Sequence, residues 1–448
     1  MALMMSVSGV RGVVGQTLTP GLAVDLGCAF GTLLGGRQVV IGRDSRPSGP
    51  MIEAAVVAGL LATGCEPVLL GVASTPAIAL MVSRLHAAGG IVITASHNPI
   101  PYNGIKFLTD EGLAPPPERA RQLFDLHQSR AFKLVDATSV HKPRVEPTAA
   151  RTHVQAALGI VDQPGIAARG FHVVLDSVNG AGGEEGLMLL EQLGCRVAHL
   201  NGEPTGLFAH TPEPLAENLT DLCDAVRREG ACAGFAQDPD ADRLAIVDET
   251  GRYVGEEYTL ALQARYMFET HPGSAAANLS TSRMIDDLAA AAGGPCRVYR
   301  SPVGEANVVA TMKQHGCVFG GEGNGGVIDP RVGVVRDSLV AMAIVLQLMA
   351  RTGKRLSTLV DEIPRYVMLK TKFECTQERI ARVLAAVRER YRQEKVNDSD
   401  GVRVDFADGW VHVRGSNTEP IIRIIAEAAT RERADELVGQ IQAIASRL

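Results

Sequence analysis

Two short stretches of this sequence carry side chains suited to phosphoryl transfer. The first is residues 94–99 (TASHNP), in which Ser96 offers a hydroxyl group beside His97. The second is residues 238–243 (DPDADR), in which Asp238, Asp240 and Asp242 place three carboxylates on alternate residues. A hydroxyl group that carries phosphate, next to carboxylates that hold a hard divalent cation, provides the main groups of a phosphoryl-transfer site.

Ser96 follows a predicted strand, residues 91–94, near the carboxyl end at which open α/β sheets bind ligands. Turn-forming residues at 98–104 indicate an ordered loop, and we expect this loop to expose the hydroxyl group. His97 could polarise that hydroxyl group or bind phosphate. The alternative is a loop serine that only caps nearby backbone groups. A serine hydrolase is not indicated, because the Gly-x-Ser-x-Gly turn is absent.

The three aspartates are predicted to share one cation. On an extended loop alternate side chains point the same way, so the carboxylates of Asp238, Asp240 and Asp242 can converge. Oxygen ligands suit Mg²⁺, which also accepts phosphate oxygens. A calcium EF-hand fits less well, because Arg243 stands where that loop requires glycine, although Glu249 falls at its twelfth position. A solvated acidic turn is the remaining alternative.

A Gly-rich stretch offers polar groups to a sugar. Residues 321–326 (GEGNGG) match the Gly-x-Gly-x-x-Gly spacing of dinucleotide-binding turns, but residues 327–330 do not begin a helix. We predict instead a flexible turn that presents Glu322 and Asn324 to hydroxyl groups. The alternative is a Gly-rich turn without a binding role.

Residues 414–420 (RGSNTEP) follow a predicted strand and could bind an anion. Arg414, two hydroxyl groups, an amide side chain and backbone N–H groups are the components of an anion-binding nest. Arg423 could add a second guanidinium group. The alternative is a hairpin turn with a surface arginine.

Composition limits the other functions open to this chain. Its 448 residues carry a formal charge of −6, which argues against sequence-independent nucleic-acid binding, because such proteins present a basic face. The first residues lack the features of a signal peptide, and the longest apolar run, residues 339–350, is too short to cross a bilayer. That run is predicted to be a buried helix started by Asp337. We therefore expect a soluble, cytoplasmic protein with no nucleic-acid or membrane partner.

The eight cysteines include no Cys-x-x-Cys pair, so neither a zinc site nor a disulfide framework is indicated. Cys65, Cys195 and Cys296 each stand where a predicted helix gives way to a predicted strand. We predict that these three are small buried side chains.

The order of strand and helix signals predicts three related α/β domains and a C-terminal α+β domain. Strand–helix–strand patterns recur at residues 38–94, 171–198 and 275–299, and they indicate parallel βαβ units. From Arg365 onward, a strand, an amphipathic helix, a hairpin and a last helix indicate an antiparallel sheet. The predicted domains are residues 1–146 with Ser96, 147–250 with the aspartates, 251–365 with the Gly-rich turn, and 366–448 with the anion nest.

These four loops, in this order, resemble the active-site loops of the α-D-phosphohexomutase superfamily, which includes phosphoglucomutase, phosphomannomutase and phosphoglucosamine mutase. The resemblance runs from residues 8–12 (SGVRG) to Arg423, nearly the whole sequence. It implies that the four domains surround a central active-site cleft. It also implies an isomerase that moves phosphate between the 6- and 1-positions of a hexose through a bisphosphate intermediate.

The resemblance implies a role for each candidate residue. Ser96 would be the phosphoserine, and it would hold Mg²⁺ together with Asp238, Asp240 and Asp242. The catalytic set would be Ser96, Lys106, Arg11, His97 and Arg243, with Lys106 a candidate for proton transfer. The sugar would be held by Glu322 and Asn324. The phosphate that does not react would be held by Arg414, Ser416, Asn417, Thr418 and Arg423.

The resemblance also implies the partners of the protein. The substrate would be a small phosphosugar, and a hexose bisphosphate would activate Ser96. We expect a monomer or a homodimer.

Two departures from the family pattern bear on the sugar. Gly326 ends the Gly-rich turn where many relatives have histidine, so a histidine base is missing there. The turn looks more like that of archaeal-type phosphoglucosamine mutases and their phosphomannomutase-like neighbours. In residues 302–305 (PVGE), Glu305 stands where enzymes for glucose and mannose phosphates often have histidine. We predict that Glu305 favours the ammonium group of glucosamine phosphate. Phosphomannomutase or phosphoglucomutase activity, a metal-dependent sugar phosphatase and a non-catalytic sugar-phosphate sensor are the alternatives.

Overall fold

A computed structural model describes residues 3–7, 9–415 and 421–448. The chain forms two compact units, one of Met1–Gln263 with Gly325–Leu359 and one of Ala264–Asn324 with Val360–Leu448. Of the stretches quoted in the sequence analysis, Ser8 and residues 416–420, which include the predicted Ser416, Asn417 and Thr418, lie outside the described residues.

A seven-stranded mixed sheet begins the first unit. Its elements in chain order are β1 (Met4–Ser6), β2 (Gly9–Val13), α1 (Pro20–Leu34), β3 (Gln38–Arg43), α2 (Gly49–Ala62), β4 (Glu66–Val72), α3 (Thr75–Arg84), β5 (Gly89–Ile93), β6 (Tyr102–Thr109), α4 (Pro117–Ser129) and β7 (Arg144–Val145). The strand order is β1-β2-β6-β5-β3-β4-β7. β3 pairs in parallel with β4 and β5, as the βαβ pattern predicts, whereas β6 runs antiparallel to β5 and β2. The loops after β3, β4 and β5 therefore begin at one edge of the sheet.

A four-stranded sheet follows in the same unit. Its elements are α5 (Ala149–Leu158), α6 (Gln163–Ala167), β8 (His172–Asp176), α7 (Gly183–Gln192), β9 (Arg196–Leu200), a 3-10 turn (Ala216–Asn218), α8 (Thr220–Glu229), β10 (Ala233–Gln237) and β11 (Leu244–Asp248). The strand order is β11-β10-β8-β9. β8 is parallel to β9 and β10, and β10 and β11 form an antiparallel hairpin. The turn of this hairpin carries the three aspartates.

The third group of elements repeats the α/β pattern. It consists of α9 (Glu257–Thr270), β12 (Ser274–Asn278), α10 (Met284–Ala292), β13 (Arg297–Ser301), α11 (Glu305–His315), β14 (Phe319–Glu322), β15 (Gly326–Ile328), α12 (Ser338–Thr352) and α13 (Leu356–Asp361). In the second unit β12 pairs in parallel with β13 and β14. In the first unit α12 is the predicted buried helix, and the Asp337 side chain accepts hydrogen bonds from the N–H groups of Leu339 and Val340.

The last group of elements forms the predicted α+β module. It consists of β16 (Val367–Glu374), α14 (Gln377–Arg390), β17 (Lys395–Asn397), β18 (Val402–Phe406), β19 (Gly409–Gly415), β20 (Ile421–Ala428) and α15 (Arg431–Ser446). The antiparallel strand order is β16-β20-β19-β18-β17. The apolar stripes of α14 and α15 join the strands in one core, so packing explains the amphipathic helix predicted after Arg365. The predicted fold class is confirmed.

All eight cysteines are free thiols, but their burial differs from the prediction. Cys65 is buried as predicted, whereas Cys195 and Cys296 are only partly buried. The difference follows from strand order, because β4 after Cys65 is an inner strand, while β9 and β13 are edge strands. Within the part of the chain that the structure describes, no helix has both the length and the apolar character needed to cross a membrane.

Candidate active site

Ser96 lies on the loop after β5 and is held in an uncommon backbone conformation. Its φ is +50°, a left-handed value that a non-glycine residue keeps only where its surroundings impose it. Its Oγ lies 3.2 Å from Asp238 Oδ2 and 3.3 Å from His97 Nδ1. Ser96 is only 2% exposed. The expectation of a solvent-exposed hydroxyl group is therefore wrong.

A buried arginine, Arg46, explains this burial. Its guanidinium group donates to four carbonyl oxygens of the loop, those of Ser96 (2.7 Å), Asn98 (2.5 Å), Pro99 (2.9 Å) and Tyr102 (3.0 Å). Its Nε lies 3.0 Å from Asp44 Oδ2, which also accepts a hydrogen bond from Thr94 Oγ1 (2.7 Å). Because one rigid guanidinium group binds four backbone carbonyls, the loop is drawn into the interior.

Arg46 was not among the predicted site residues, although the sequence holds a signal for it. Asp44 and Arg46 follow β3, which is the parallel neighbour of β5. Loops that follow neighbouring parallel strands begin at the same edge of a sheet, so a charged pair there was a candidate to contact Ser96.

The three aspartates come together in the turn between β10 and β11. One carboxylate oxygen from each of Asp238, Asp240 and Asp242 lies within 4.8 Å of the others, and all three residues are buried. The turn is not extended as we expected. Ala241 has a left-handed φ of +55°, and its N–H donates to the carbonyl oxygen of Asp238 (2.9 Å). The carboxylates therefore converge because the backbone bends, not because alternate residues share one side.

The shape of this turn depends on the Gly-rich segment between β8 and α7. The N–H of Ala181 donates to the carbonyl oxygen of Pro239 (2.8 Å). A Cβ atom at Gly182 would lie 2.5 Å from the Cβ of Ala241. Glycine is therefore required at position 182 for the two segments to pack this closely.

Asp240 is the most strongly paired of the three aspartates. Its Oδ2 accepts hydrogen bonds from Lys106 Nζ on β6 (2.8 Å) and from Thr75 Oγ1 at the start of α3 (2.7 Å). Burial alone would raise the pKa of Asp240, but the Lys106 ammonium group and the Thr75 hydroxyl group bring it below the ordinary value of 3.8. Asp240 is therefore ionised at neutral pH.

Asp238 and Asp242 lie among opposing charges. Asp242 is paired with Arg336, a residue that the sequence analysis did not single out, and its Oδ1 lies 3.7 Å from Arg243 Nε. Asp238 Oδ1 accepts the backbone N–H groups of residues 242 and 243 (3.1 and 3.2 Å). Burial and the carboxylates of Asp242 and Asp240 raise the pKa of Asp238 well above its ordinary range.

The donor set fits a hard divalent cation. Asp240 Oδ1 and Asp242 Oδ1 are buried and have no hydrogen-bond partner among the described residues. Buried carboxylate oxygens without partners are costly in free energy. A divalent cation would satisfy both oxygens and reduce the repulsion that raises the pKa of Asp238. An EF-hand does not fit, because residues 244–248 form β11 and Glu249 accepts hydrogen bonds from Ser357 instead.

Arg11 and His97 complete the surroundings of Ser96. Arg11 lies on β2, and its Nη1 donates to Asn98 Oδ1 (3.2 Å). Burial, assisted by the guanidinium groups of Arg243 and Arg11, lowers the pKa of His97 to about 3. His97 is therefore neutral near pH 7, so it can share a hydrogen bond with the Ser96 hydroxyl group but supplies no positive charge.

In the second unit, Glu322 ends β14 and is buried. Its Oε1 accepts hydrogen bonds from Asn278 Nδ2 (2.8 Å) and from the N–H of Gly304 (3.0 Å). The second bond ties the first part of the Gly-rich turn to residues 302–305. Glu305 is the first residue of α11 and is partly buried, and Asn324 is also partly buried.

Two features considered for the Gly-rich turn, dinucleotide binding and flexibility, do not fit the structure. No helix follows it, because Gly326–Ile328 is strand β15, so the dinucleotide-binding alternative is excluded. In the first unit, Gly325 has φ +86°, and a Cβ atom there would lie 2.5 Å from the Leu244 carbonyl oxygen. The turn that we expected to be flexible is fixed by close packing at this residue.

Arg414 and Arg423 occupy opposite positions on β19 and β20. Directly opposite residues of an antiparallel pair project from the same face, so two guanidinium groups share one side of the sheet. Asp400 Oδ2 lies 3.2 Å from Arg414 Nε and accepts the N–H of Val303 (3.0 Å). Asp400 thus links Arg414, the first residue of the predicted nest, to residues 302–305. The rest of the nest, Ser416, Asn417 and Thr418, lies outside the described residues and stays a prediction.

His412 supports Asp400 from within the core of the second unit. Its Nε2 lies 2.7 Å from the Asp400 carbonyl oxygen, and its Nδ1 lies 2.9 Å from Ser280 Oγ. Burial lowers the pKa of His412 to about 4, so the ring is neutral at physiological pH.

Comparison with known proteins identifies the family. Four descriptions of one family match the chain: phosphoglucomutase/phosphomannomutase alpha/beta/alpha domain I at residues 3–133, domain II at 151–251, domain III at 255–366, and the C-terminal domain at 368–444. The predicted domain boundaries at 146, 250 and 365 stay predictions.

Individual relatives agree with this match. A phosphoglucomutase/phosphomannomutase of Thermococcus kodakarensis is 40% identical over 437 residues, which is 96% of this chain and 95% of that protein. A probable phosphoglucosamine mutase of Methanopyrus kandleri is 40% identical over 434 residues, again 96% and 95%. The crystal structure of a phosphoglucomutase/phosphomannomutase family protein from Burkholderia thailandensis has a TM-score of 0.86 and 27% identity, and covers 98% of this chain and 97% of that chain. The predicted resemblance is confirmed, and this chain belongs to the phosphoglucomutase/phosphomannomutase family.

Proposed function

We propose that this chain is a cation-dependent phosphosugar mutase that interconverts hexose 6-phosphate and hexose 1-phosphate through a phosphoserine at Ser96. One observation carries the proposal: Ser96 Oγ lies 3.2 Å from Asp238, in a buried site where three carboxylates converge. Relatives named as phosphoglucosamine mutase and phosphoglucomutase/phosphomannomutase, aligned over almost the whole chain, support the same reaction class.

The reaction consists of two phosphoryl transfers. In the first, the bond between phosphorus and Ser96 Oγ breaks, and a bond forms to the free hydroxyl oxygen of the hexose monophosphate. The proton of that hydroxyl group is given up, and Ser96 Oγ gains one to become a hydroxyl group again. The product is a hexose bisphosphate. In the second, the other phosphate of the bisphosphate returns to Ser96 Oγ and leaves the isomeric monophosphate. A hexose bisphosphate would also load Ser96 before the first turnover.

The residues around Ser96 match the demands of these transfers. Asp238, Asp240 and Asp242, with a phosphate oxygen on Ser96, would hold Mg²⁺, which neutralises charge on the transferring group. Arg11 and Arg243 add positive charge beside the serine, and Lys106 is the candidate for proton transfer at the reacting oxygen. The burial of Ser96 limits access of water, which favours the mutase over the phosphatase alternative.

The second unit supplies the candidate groups for the rest of the substrate. Glu322 and Asn324 would hold sugar hydroxyl groups. Arg414, Arg423 and the predicted Ser416, Asn417 and Thr418 would hold the phosphate that does not react. The shared face of Arg414 and Arg423 supports this role, because an anion would stabilise two like charges placed opposite each other.

Glucosamine phosphate is the substrate that we assign. Gly304, which precedes Glu305, donates its N–H to Glu322, so the proposed ammonium-binding and hydroxyl-binding residues are positioned by one hydrogen bond. The probable phosphoglucosamine mutase relative supports this choice. The relative named phosphoglucomutase/phosphomannomutase is equally similar to this chain, so mannose and glucose phosphates are the alternative substrates.

Substrate turnover tests the proposal. Glucosamine 6-phosphate, mannose 1-phosphate and glucose 1-phosphate would each be supplied with Mg²⁺ and the matching bisphosphate. We expect preferential isomerisation of the glucosamine compound. Inorganic phosphate release without an isomeric product would support the phosphatase, and binding without turnover would support the sensor.

A matched pair of variants tests Glu305. A carboxylate at a helix N-terminus also stabilises the helix itself, and Glu118 occupies the same kind of position in the first turn of α4. Glu305→Gln should lower kcat/KM for glucosamine phosphate about tenfold more than for glucose phosphate, whereas Glu118→Gln should change neither. Equal losses for the two sugars after Glu305→Gln would show that Glu305 does not select the ammonium group.

A further inference from the structure

His153 forms a buried charge network in the first unit that the proposed mechanism does not use. Its Nδ1 lies 2.9 Å from Glu185 Oε2 and its Nε2 lies 2.7 Å from Asp337 Oδ2. His153 is fully buried, and Glu185 and Asp337 are 2% and 3% exposed. A neutral imidazole has one donor and one acceptor, so only the protonated ring can donate to both carboxylates. Burial opposes this charge, but Asp337 and Glu185 raise the pKa of His153 to about 10.

The first arm of this network runs through Glu185 to Asp240. Ser74 donates its hydroxyl group (2.5 Å) and its N–H (3.3 Å) to the Glu185 carboxylate. Thr75, the next residue, donates its N–H to the Asp240 carbonyl oxygen (2.9 Å) and its hydroxyl group to Asp240 Oδ2 (2.7 Å). Glu185 therefore fixes the start of α3, and the start of α3 fixes both the backbone and the side chain of Asp240.

The second arm runs through Asp337 to Ala241. While Asp337 Oδ2 binds His153, its Oδ1 accepts the N–H groups of Leu339 and Val340 in the first turn of α12. Ser338, the next residue, donates its N–H to the carbonyl oxygen of Ala241 (3.3 Å). The two arms of one histidine thus end on consecutive residues of the turn that carries the aspartates.

We propose that His153, as an imidazolium, is a positioning residue that fixes the bend of the turn at residues 238–242 and so sets the affinity of that turn for a divalent cation. This inference rests on the proposed cation-binding role of the three aspartates. A buried ion network is often no more stabilising than apolar residues of the same volume, so its use here is better explained by the geometry that it specifies. The effect on the aspartates is indirect, because both ring nitrogens are occupied by Glu185 and Asp337.

Cation binding to the purified, dephosphorylated full chain tests the inference. The dissociation constant for Mn²⁺ would be measured by calorimetry for the parent and for His153→Gln. Because glutamine cannot donate from two ring positions to two carboxylates, we expect the dissociation constant to rise at least about tenfold. Leu60→Ala is the matched control: it removes a fully buried side chain of α2, outside both arms, and should leave cation affinity within about twofold of the parent.

Two further measurements keep the inference testable if His153→Gln does not fold. Ser74→Ala cuts only the first arm and should raise the dissociation constant by a smaller factor, about threefold. In the parent, nitrogen-15 NMR should show two protected ring N–H groups on His153 at about pH 8, where an ordinary imidazole is neutral. A single ring N–H on His153 at that pH would overturn the doubly donating geometry.

The outcomes separate this inference from the proposed function. If the parent binds Mn²⁺ and both His153→Gln and Ser74→Ala bind it with the same dissociation constant, the positioning role is overturned and the cation site stands. A parent that binds no Mn²⁺ would overturn the proposed cation role of the aspartates and this inference with it.

Discussion

The two units hold their candidate functional residues in different ways. In the first unit the Ser96 loop and the aspartate turn are buried and are bound by residues from distant segments: the Arg46 side chain donates to four carbonyl oxygens of the loop, and Thr75 donates its N–H and its hydroxyl group to Asp240. In the second unit, Glu322 and Asp400 accept backbone N–H groups from a single loop, residues 302–305. The first arrangement fixes atoms that would react, and the second fixes a loop that would select the sugar.

This difference suits the two tasks. Phosphoryl transfer makes the same geometric demand for every hexose phosphate, and buried polar groups held by several distant segments meet it. Substrate choice changes with one or two side chains on a loop whose backbone is held in place. Substitutions in the first unit should therefore affect all sugars alike, whereas substitutions in the second should change KM or the preference between sugars.

Removal of the serine hydroxyl group gives the largest expected effect. Ser96→Ala should lower turnover of every hexose phosphate by at least roughly a thousandfold, because no oxygen remains to carry the phosphoryl group. Coupled assays with three sugar phosphates measure this loss. Ser83→Ala, which removes an exposed hydroxyl group from α3, is the control and should retain parental activity. A Ser96→Ala enzyme that lost only one sugar would contradict the assignment of Ser96 to the shared step.

Arg46→Lys tests whether the Ser96 loop is held as a unit. A lysine ammonium cannot reach four carbonyl oxygens, so we expect a loss of about 3 kcal/mol in the free energy of unfolding and a lower kcat for all sugars. Denaturant unfolding and steady-state kinetics measure the two effects. Arg130→Lys changes an arginine whose own side chain is 68% exposed in its pair with Asp25, and should cost less than about 1 kcal/mol. Unchanged kcat in folded Arg46→Lys would show that the loop keeps its shape without the guanidinium group.

Asp400→Asn addresses the second unit. The substitution keeps an acceptor for Val303 but weakens the ion pair that orients the Arg414 guanidinium group, so we expect KM to rise about fivefold for every phosphosugar, with a smaller change in kcat. Initial rates over a range of substrate concentrations separate the two constants. A fall in kcat at constant KM would instead place Asp400 among the residues that serve the reaction itself.

The buried histidines His153 and His412 predict effects of pH on stability that are opposite in direction and smaller than the effects of the substitutions above. The folded-state pKa of His153 is about 10, above the ordinary 6.5, so its contribution is complete below pH 6.5 and is lost as pH rises towards 10. The folded-state pKa of His412 is about 4, so its contribution is present above pH 6.5 and is lost as pH falls towards 4. Melting temperatures from pH 4 to 10 should therefore lose their alkaline slope in His153→Gln and their acid slope in His412→Asn. The opposite assignment of slopes would contradict the two charge states.

Local patterns in the sequence were sufficient to single out the candidate groups that the structure brings together around Ser96. Ser96 and the aspartates stand on turns between strong strand signals, and the spacing of the aspartates indicates a shared cation. The burial of Ser96 was not predictable, because turn residues usually mark the surface and the arginine that buries this loop lies 50 residues away in the sequence. The bend at Ala241 was missed for a similar reason, since alanine gives no local sign of a left-handed φ.

The residues that hold the candidate site residues in place cannot be found from local sequence patterns. His153 contacts Glu185 and Asp337, which are 32 and 184 residues away, and a single histidine in a helix carries no signal of such partners. No local sequence pattern marks Arg336 either, although it pairs with Asp242. Cys195 and Cys296 show the same limit on a smaller scale, because strand order within a sheet decides their exposure and cannot be read from the strands themselves.

Phosphopeptide mapping tests the central claim most directly. The parent chain would be incubated with Mg²⁺ and a hexose bisphosphate, digested and analysed by mass spectrometry before and after addition of the hexose monophosphate. We predict one phosphoryl group, on Ser96, that is lost on addition of the monophosphate while hexose bisphosphate forms. A phosphoryl group on another residue, or one that leaves Ser96 only as inorganic phosphate, would contradict the account.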